Sequence, residues 1–358
     1  MPTILTVIGA RPQFIKAAPL SRALPQCYRE VLVHTGQHYD WNMNEIFFLE
    51  LGLPRPSHNL GIGSLPHGAQ TGRMLEGLER LMLDERPDLV LVYGDTNSTL
   101  AASLAAAKLG IPIAHVEAGL RSYNRSMPEE INRIVTDDLA TLLFVPSAVA
   151  EKNLAAEGIS ARVYEVGDIM FDAQLLFRDL ADARSTILHR HGLREGAYLL
   201  LTCHRPSNTD NAENLRNILG AVNACAIPTL FPAHPRIRKQ LEVFGLELSA
   251  YPHLIPCEPL GYLDNLQALR HARCLVTDSG GMQKESYYLG VPCVTLRCET
   301  EWTETLEHGW NILAGADPSL ITRSIEAPPP LEHTRTYPYG KGDTARRIVE
   351  VLTTYFGT

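Results

Sequence analysis

The sequence predicts an α/β fold built from two consecutive series of parallel strands, each flanked by helices. Short runs of β-branched and other apolar residues alternate along the 358 residues with stretches of helical periodicity. This alternation is the pattern of parallel sheets that helices cover. The length suggests roughly two domains of ordinary size, and no solenoid-type repeat interrupts the alternation.

The predicted strands fall into two groups along the chain. In the first series they are Ile4–Ile8, Val31–Thr35, Leu89–Tyr93, Ile111–Val116, Leu142–Val145 and Val163–Val166. In the second series they are Tyr198–Thr202, Thr229–Pro232, Leu254–Pro256, Leu275–Thr277 and Cys293–Leu296. Predicted helices include Ser98–Lys108, Ile131–Leu139, Gln283–Leu289 and Thr344–Tyr355. The first series ends near Gly167–Ala173, so we expect one domain over residues 1–168 and a second over 169–340.

Charge and hydropathy exclude several classes of partner. The net charge of −8 leaves no general basic surface for nucleic acid. The longest apolar runs have the length of strands, so we expect no membrane span. The N-terminus lacks the basic flank and cleavage site of a signal peptide. The seven cysteines show no Cys-x-x-Cys spacing and fit buried free thiols. These features together predict a cytoplasmic protein.

Polar residues collect where the predicted strands end. Ligands of open parallel sheets bind beyond the carboxyl ends of the strands, so these segments are the candidate site. In the first series they are Gly9–Gln13, Gly36–His38, Gly94–Thr96 and Glu117–Arg121. In the second they are Cys203–Arg205, Ala233–Arg236, Glu258–Gly261, Asp278–Gly281 and Arg297. Solvated loop ends explain part of this pattern; two such edges facing each other would form a polar cleft.

The turn Asp278–Gly281 is the clearest signal for phosphate. Two glycines let the backbone approach a ligand closely, and the helix that follows offers N–H groups and a positive dipole end. Arg11 and Lys16 also bracket a strand-to-helix turn, with ordinary surface charges as the alternative. Neither a Walker A loop nor a Gly-x-Gly-x-x-Gly fingerprint occurs, which argues against ATP and NAD.

Asp95 and Glu117 end consecutive strands that one crossover helix joins. Such strands are usually neighbours about 5 Å apart, so the two carboxylates can share a site. Mutual repulsion and partial burial would then raise at least one pKa, as an acid/base pair requires. The alternative for Asp95 is an N-cap of the next helix.

Glu129 and Glu130 follow Pro128 at the start of a predicted helix. Proline at the first position and acids in the first turn are favourable helix chemistry and require no function. On local grounds this interpretation is preferred for both acids. Arg121 and Arg133 lie close in sequence and could pair with them.

His204 and Arg205 follow the first strand of the second series. A histidine and an arginine suit a diphosphate whose charge grows as a bond to it breaks. A core histidine bonded to the backbone is the alternative. No group of His, Cys, Asp or Glu has metal-ligand spacing, and no Ser-His-Asp set stands out. We therefore predict neither a metal site nor a serine nucleophile.

Together these motifs resemble the non-hydrolysing UDP-N-acetylglucosamine 2-epimerases over nearly the whole chain. The matching blocks are Gly9–Lys16, Tyr93–Thr96, His115–Arg121, Pro128–Arg133, His204–Arg205, His234–Pro235, Asp278–Glu285 and Gly309–Asn311. The resemblance implies a GT-B fold, in which two Rossmann-like domains hold UDP in the interdomain cleft, mostly through the second. A C-terminal helix, residues 341–358, would cross back to the first domain. A homodimer without cofactor is also implied.

The resemblance further implies a reaction and a set of site residues. A base removes the C2 proton while UDP leaves C1 by anti elimination, and UDP then adds back to the 2-acetamidoglucal. By position, Asp95, Glu117 and Glu129 are acid/base candidates, and His204 would stabilise the leaving diphosphate. The implied UDP or substrate contacts are Arg11, Lys16, His234, Ser279, Gly280, Gly281 and Glu285. Further sugar or regulatory contacts would be Gln37, His38, Arg121, Glu130, Arg133 and Arg205. The resemblance thus favours a catalytic role for Glu129 over a role that only stabilises the start of the helix.

Some positions depart from the common pattern of that family. Ala10 and Gln13 stand where threonine and glutamate are usual, Trp302 replaces a UDP-contacting arginine, and Pro206-Ser207 interrupts the usual stretch after His204. The variants resemble the subgroup that includes 2-epimerases of UDP-2,3-diacetamido-2,3-dideoxyglucuronic acid. UDP-N-acetylglucosamine and this uronic acid therefore both stay open as substrates. A hydrolysing epimerase, which releases free sugar, and a GT-B glycosyltransferase, which needs an acceptor, are the further alternatives.

Overall fold

The computed structural model describes residues 1–24, 26–37, 51–328 and 336–358. The chain divides into two compact units. Unit 1 comprises Met1–Leu176 with Tyr337–Thr358, and unit 2 comprises Phe177–Thr336.

Unit 1 contains a seven-stranded parallel sheet in the order β3-β2-β1-β4-β5-β6-β7. Its strands are β1 Thr3–Ile8, β2 Arg29–His34, β3 His58–Asn59, β4 Leu89–Tyr93, β5 Ile113–Val116, β6 Leu142–Val145 and β7 Val163–Glu165. Its described helices are α1 Arg11–Ala23, α2 His67–Glu85, α3 Asn97–Lys108, α4 Pro128–Leu139 and α5 Ala148–Ala156. Every residue of β4 is buried, as expected for a central parallel strand that helices cover on both faces.

The C-terminal helix, α14 Thr344–Phe356, belongs to unit 1. Its first backbone N–H groups, those of Thr344 and Ala345, donate to the carboxylate of Asp172 at 3.1 and 2.8 Å. The carboxylate thereby caps donors that have no partner within the helix. At its other end the Phe356 ring lies 5.8 Å from that of Tyr28. Asp172 lies on α6 Ile169–Arg184, which begins in unit 1 and ends in unit 2.

Unit 2 contains a six-stranded parallel sheet in the order β10-β9-β8-β11-β12-β13. Its strands are β8 Leu199–Thr202, β9 Thr229–Pro232, β10 Leu254–Cys257, β11 Cys274–Thr277, β12 Cys293–Thr295 and β13 Asn311–Leu313. Its helices are α7 Ile187–Arg190, α8 Pro206–Thr209, α9 Ala212–Ala224, α10 Pro235–Val243, α11 Tyr262–Arg270, α12 Gly280–Leu289 and α13 Pro318–Glu326. Apolar residues from alternate positions of the strands form a buried cluster on each face of the sheet.

The α/β fold predicted from the sequence is confirmed. Each predicted strand agrees with an observed strand to within two residues at either end. The sequence missed two short strands, β3 and β13. The first has only two polar residues and pairs with β2 alone, so it carries no alternating or apolar pattern that could identify it. None of the helices in the described residues combines the length and the hydropathy needed to cross a bilayer.

Candidate active site

A buried ion pair joins the first helix of unit 1 to the end of a central strand. The Lys16 ammonium on α1 donates to Oε1 of Glu117, directly after β5, at 2.6 Å. Both residues are buried, so water screens the pair weakly. Lys16 is therefore not an ordinary surface charge.

Glu117 has a backbone conformation that few residues other than glycine adopt. Its φ is +74°, in the left-handed region where a side chain costs energy and where functional residues are concentrated. The turn is held because the N–H groups of Glu117 and Ala118 both donate to the carbonyl of Phe144 at 3.1 Å. The carboxylate is thus aimed by a strained but well-bonded backbone.

Gly94 supplies the space next to this ion pair. Its φ is +60°, and a Cβ atom there would lie 3.3 Å from Nζ of Lys16 and 3.4 Å from Oε1 of Glu117. A side chain at this position would be strained and would also press on the pair. The glycine after β4 is therefore required twice, by conformation and by contact.

Asp95 forms an ion pair separate from that of Glu117. Its carboxylate pairs with Arg133 of α4, and its carbonyl accepts from the Asn132 amide at 2.9 Å. Asp95 does not cap α3, because the N-cap is Thr96, whose hydroxyl accepts from the N–H of Thr99. Register pairs Tyr93 with Val116, so Asp95 and Glu117 do follow neighbouring strands. Each acid meets a basic side chain, whereas the sequence predicted mutual repulsion.

The adjacent acids at the start of α4 differ sharply in their surroundings. Glu130 is buried and accepts from the N–H groups of Ser122 and Tyr123, from the Ser122 hydroxyl and from Arg133. Glu129 is half-buried, and its carboxylate makes no hydrogen bond or ion pair with the described residues. Glu130 thus connects the preceding loop to the helix by hydrogen bonds, whereas the Glu129 carboxylate oxygens accept none from the described residues.

A second buried network connects β5 to α4 and to the carbonyl of Gly94, which precedes Asp95. His115 on β5 bonds the Asp137 carboxylate at 2.7 Å and the carbonyl of Gly94 at 2.8 Å. Burial alone would raise the pKa of Asp137, but His115 and Arg121 outweigh it and hold that pKa below its ordinary value. Arg121 also pairs with Glu157 at 2.6 Å. The predicted sugar contact by Arg121 stays a prediction, and its guanidinium already has carboxylate partners within unit 1.

Other predicted residues of unit 1 lie around the ends of β1 and β2. Arg11 is half-buried at the first position of α1. Gln37 accepts from the N–H and hydroxyl of Ser98 at 3.1 and 2.7 Å, and His38 lies outside the described residues. Gln13 is buried; its Oε1 accepts from the N–H of Gly9 at 2.8 Å, and its Nε2 donates to the carbonyl of Tyr93 at 2.9 Å. A glutamate here could not make that donation as an anion.

In unit 2, Asp278 organises the ends of two adjacent strands. Thr202 of β8 is in register with Thr277 of β11, so His204 and Asp278 follow neighbouring strands. The fully buried Asp278 carboxylate accepts from the N–H groups of His204 and Arg205 at 3.0 and 2.9 Å. It also accepts from the Asn208 amide at 3.1 Å and lies 3.1 Å from Nδ1 of His204.

These contacts set the protonation of Asp278. Burial would raise its pKa, but the His204 imidazole and the backbone N–H of Arg205 outweigh burial and lower the pKa to about 2. Burial and the Asp278 charge raise the pKa of the neighbouring Cys203 thiol, which stays neutral. Sequence reasoning treated Asp278 only as part of a phosphate turn. Its place directly after a buried strand, in register with the strand before His204, was the available signal.

The two glycines at the start of α12 have different neighbours. A Cβ atom on Gly280 would lie 2.3 Å from Oε1 of Glu301, whereas nothing lies within 4 Å of the same position on Gly281. Ser279 is the N-cap, and its hydroxyl does not bond the helix. Gly280 is therefore explained by packing, while the absence of a side chain at Gly281 leaves open space that a ligand can use.

Trp302 lies over a buried cation. Lys284 of α12 has its Nζ 4.1 Å from the centre of the Trp302 ring, and both side chains are buried, which is the geometry of a cation–π contact. Glu285, the next residue of α12, is also buried. The segment carrying Trp302 is fixed because the Thr300 hydroxyl donates to Gln283 at 2.7 Å. Trp302, at the position where the family resemblance implies an arginine, thus packs against the Lys284 ammonium.

The remaining predicted features of unit 2 are a histidine that caps a helix and the loops that follow β9 and β10. His234 is exposed and caps α10 by accepting from the N–H of Arg236 at 3.3 Å. A groove of about 800 Å³ lies beside the ends of β9 and β10. Its arginines have carboxylate partners, since Arg190 pairs with Asp264 and Arg238 lies 2.8 Å from Glu258. Within the described residues no three His, Cys, Asp or Glu side chains are arranged to hold a metal.

Two open parallel sheets whose polar loops follow the strands define an α/β protein of the GT-B class. The family model for UDP-N-acetylglucosamine 2-epimerase matches residues 24–353. The chain belongs to this family and is therefore an isomerase, as the sequence predicted.

Individual relatives cover almost the whole chain. A Methanococcus maripaludis protein named a UDP-N-acetylglucosamine 2-epimerase homolog is 49% identical, with 98% of this chain and 99% of its own length aligned. The UDP-2,3-diacetamido-2,3-dideoxy-D-glucuronate 2-epimerase of Pseudomonas aeruginosa is 46% identical over 98% and 99%. The crystal structure of the Methanocaldococcus jannaschii UDP-GlcNAc 2-epimerase with UDP-GlcNAc and UDP matches with a TM-score of 0.91 at 42% identity, over 98% and 99%.

Proposed function

We propose that this chain is a non-hydrolysing 2-epimerase that interconverts UDP-N-acetylglucosamine and UDP-N-acetylmannosamine. The M. jannaschii relative, at 42% identity, was crystallised with UDP-GlcNAc and UDP. The Neisseria meningitidis UDP-GlcNAc 2-epimerase, at 30% identity, 98% and 100% coverage and a TM-score of 0.90, was crystallised with UDP-GlcNAc. The similarity over the whole chain supports the same class of substrate here.

The proposed reaction needs acid/base groups and no cofactor. A carboxylate removes the proton at C2, the C1–O bond breaks with its electron pair going to the diphosphate, and a C1=C2 double bond forms. In the second half the diphosphate oxygen adds back to C1 while an acid delivers a proton to the opposite face of C2. Because the two protons lie on opposite faces, at least two acid/base groups are required.

The observation that carries this proposal is the set of differently supported carboxylates in unit 1. Glu117 is buried against Lys16, Asp95 pairs with Arg133, and Glu129 has no partner among the described residues. A buried carboxylate held by an ammonium is kept dry and oriented, as a base requires. An acid without bonding partners is available to a substrate. We assign the acid/base roles to these three residues and not to Glu130, whose two oxygens already accept four hydrogen bonds from the protein.

Unit 2 has the features that a diphosphate requires. We propose that Ser279, Gly280 and Gly281 hold phosphate at the start of α12, where N–H groups and the helix dipole favour an anion. His204 would stabilise the charge on the departing diphosphate. Glu285 would bind the ribose. Arg11 and His234 would contribute further UDP contacts, as the family resemblance implies.

A second substrate candidate is UDP-2,3-diacetamido-2,3-dideoxyglucuronic acid. The P. aeruginosa 2-epimerase that is named for this sugar is 46% identical to the chain. Trp302, which packs on the buried Lys284, stands where the family resemblance implies an arginine. This change next to the proposed phosphate site favours a subgroup with an altered ligand.

The test is to incubate the purified chain with each UDP-sugar separately and follow the C2 epimers by proton NMR. Conversion of UDP-N-acetylglucosamine to a mixture with the manno epimer, without free sugar, is the expected result. Conversion of the diacetamido uronic acid alone would assign the second substrate. Accumulation of free N-acetylmannosamine with UDP would identify a hydrolysing epimerase, and no C2 epimer from either sugar would refute the proposal. Glu117→Gln serves as the matched inactive control.

A further inference from the structure

The His204 imidazole has one nitrogen on a buried anion. Nδ1 lies 3.1 Å from Oδ1 of Asp278, whose side chain is fully buried, while 46% of the His204 side chain is exposed. Because the two ring nitrogens lie on different sides of the imidazole, contact at Nδ1 leaves Nε2 on the side away from the carboxylate. A carboxylate can only accept, so it selects the form of the ring that carries hydrogen on Nδ1.

We infer that Asp278 is a positioning residue that holds Nδ1–H of His204 and presents Nε2 to the diphosphate. The inference rests on the proposed function and extends it to a residue 74 positions away along the chain. A neutral ring fixed in this way offers only a lone pair at Nε2. Donation to a phosphate oxygen therefore requires the imidazolium, and the Asp278 anion, 3.1 Å from Nδ1, stabilises that cation electrostatically.

The surroundings leave Asp278 free to act on His204. The Arg205 guanidinium donates to the carbonyl of Asp278 at 3.1 Å and not to its carboxylate. The Cys203 thiol is neutral because burial and the Asp278 charge raise its pKa. Among the described residues of unit 2, His204 is the basic side chain paired with this carboxylate. The His204 imidazole is thus the one basic side chain among the described residues of unit 2 that this anion faces.

A purely structural role for Asp278 is the competing explanation. Its carboxylate also accepts from two backbone N–H groups and from Asn208, so removing it would loosen the loop whatever His204 does. The two explanations differ in the state of the ring. Only the positioning role requires hydrogen on Nδ1 of neutral His204 and a specific loss of kcat.

The test is a long-range ¹H–¹⁵N spectrum of the full chain labelled at histidine nitrogens. The His204 signals are those that disappear in His204→Gln. We expect wild-type His204 to carry its hydrogen on Nδ1, and Asp278→Asn to move the neutral ring toward the Nε2–H form. In the same variant kcat with UDP-N-acetylglucosamine should fall about 100-fold, with KM changed by less than about threefold.

The matched control is Thr209→Val in α8, the short helix that directly follows His204 and Arg205. The buried Thr209 hydroxyl donates to the Arg205 carbonyl and to Asp210, accepts from Arg236 and does not touch Asp278. Both the spectrum and kcat should therefore stay close to wild type. A wild-type ring with hydrogen on Nε2 alone, or a spectrum unchanged by Asp278→Asn, would overturn the inference. If Asp278→Asn does not fold, the wild-type spectrum decides. The spectrum needs no turnover. An inactive wild-type chain would therefore refute the proposed function, while the position of the hydrogen on the His204 ring would still test this inference.

Discussion

Nζ of Lys16 lies 2.6 Å from Oε1 of Glu117, and both side chains are more than nine-tenths buried. Lys16 lies on α1, which follows β1, and Glu117 directly follows β5 with a backbone φ of +74°. Substitutions at and beside this buried ion pair can test the stability of the protein and its activity separately.

Lys16→Met should destabilise the protein strongly. Removing one partner of a buried ion pair leaves an uncompensated charge and costs about 3–5 kcal/mol. The free energy of unfolding in urea measures this cost. The matched control is Arg29→Met, which breaks an ion pair with Glu85 whose arginine is half exposed and should cost less than about 1 kcal/mol. If both variants lost equally little free energy of unfolding, the Lys16–Glu117 pair would contribute no more than a surface ion pair.

Gly94→Ala should lower both stability and activity. The left-handed φ alone costs an alanine about 1–2 kcal/mol, and its Cβ would also press on Lys16 and Glu117. Gly110→Ala provides the control, because Gly110 has a φ of +69° and nothing within 4 Å. Gly94→Ala should lose at least as much stability as Gly110→Ala in thermal unfolding, but only Gly94→Ala should lose kcat. A similar kcat in the two variants would separate Gly94 from the chemistry.

Glu129→Gln should lower activity but not stability, whereas Glu130→Gln should lower stability. Glu129 has no described partner, so its variant should keep its free energy of unfolding within about 0.5 kcal/mol. Its kcat should fall about 100-fold or more if it is an acid/base group. Glu130→Gln should instead cost about 2 kcal/mol, because the donors of Ser122, Tyr123 and Arg133 lose an anionic acceptor. Full activity in Glu129→Gln would remove this residue from the mechanism.

Stability should fall in acid through Asp278. Its pKa is lowered from 3.8 to about 2, so the native state favours the anion. The resulting contribution is about 2 kcal/mol. It is fully present above about pH 5 and is lost as pH falls through about 4 toward 2. Urea unfolding of wild type and Asp278→Asn at several pH values measures the difference, which should shrink between pH 5 and pH 3. A difference that is independent of pH would contradict the assigned charge.

Gly281→Ala should weaken UDP binding without affecting the fold. Its Cβ position is open in the structure, so the melting temperature should not change. If phosphate approaches this backbone, the dissociation constant for UDP should rise about tenfold, or ~1.4 kcal/mol. Gly280→Ala should instead lower the melting temperature, because its Cβ would collide with Glu301. An unchanged dissociation constant in Gly281→Ala, measured by calorimetry, would argue against phosphate at this turn.

The sheets could be predicted from the sequence because buried parallel strands are nearly continuous apolar runs. Leu89–Tyr93 and Leu142–Val145 have the predicted limits, since each is a purely apolar or aromatic run with a polar residue before it and a glycine or proline after it. The short strand Asn311–Leu313 was missed because three residues carry too little periodicity.

The partners of the site residues could not be predicted in the same way. Glu129 and Glu130 are adjacent on a helix, and only the rotation of α4 against the sheet decides which of them is buried. The contact between Asp278 and His204 joins residues 74 positions apart through the pairing of β8 with β11. Sequence order alone does not give that pairing. The ion pair of Lys16 with Glu117, separated by 101 positions, has the same origin.

The most direct test of the proposed epimerase mechanism is turnover of UDP-N-acetylglucosamine in heavy water. Removal of the C2 proton and delivery of a solvent-derived proton to the other face should place deuterium at C2 of the epimer, and Glu117→Gln should suppress both the epimer and the deuterium. Proton NMR detects the loss of the C2 signal directly. An epimer that keeps its original C2 hydrogen, formed by the wild-type protein, would contradict the mechanism.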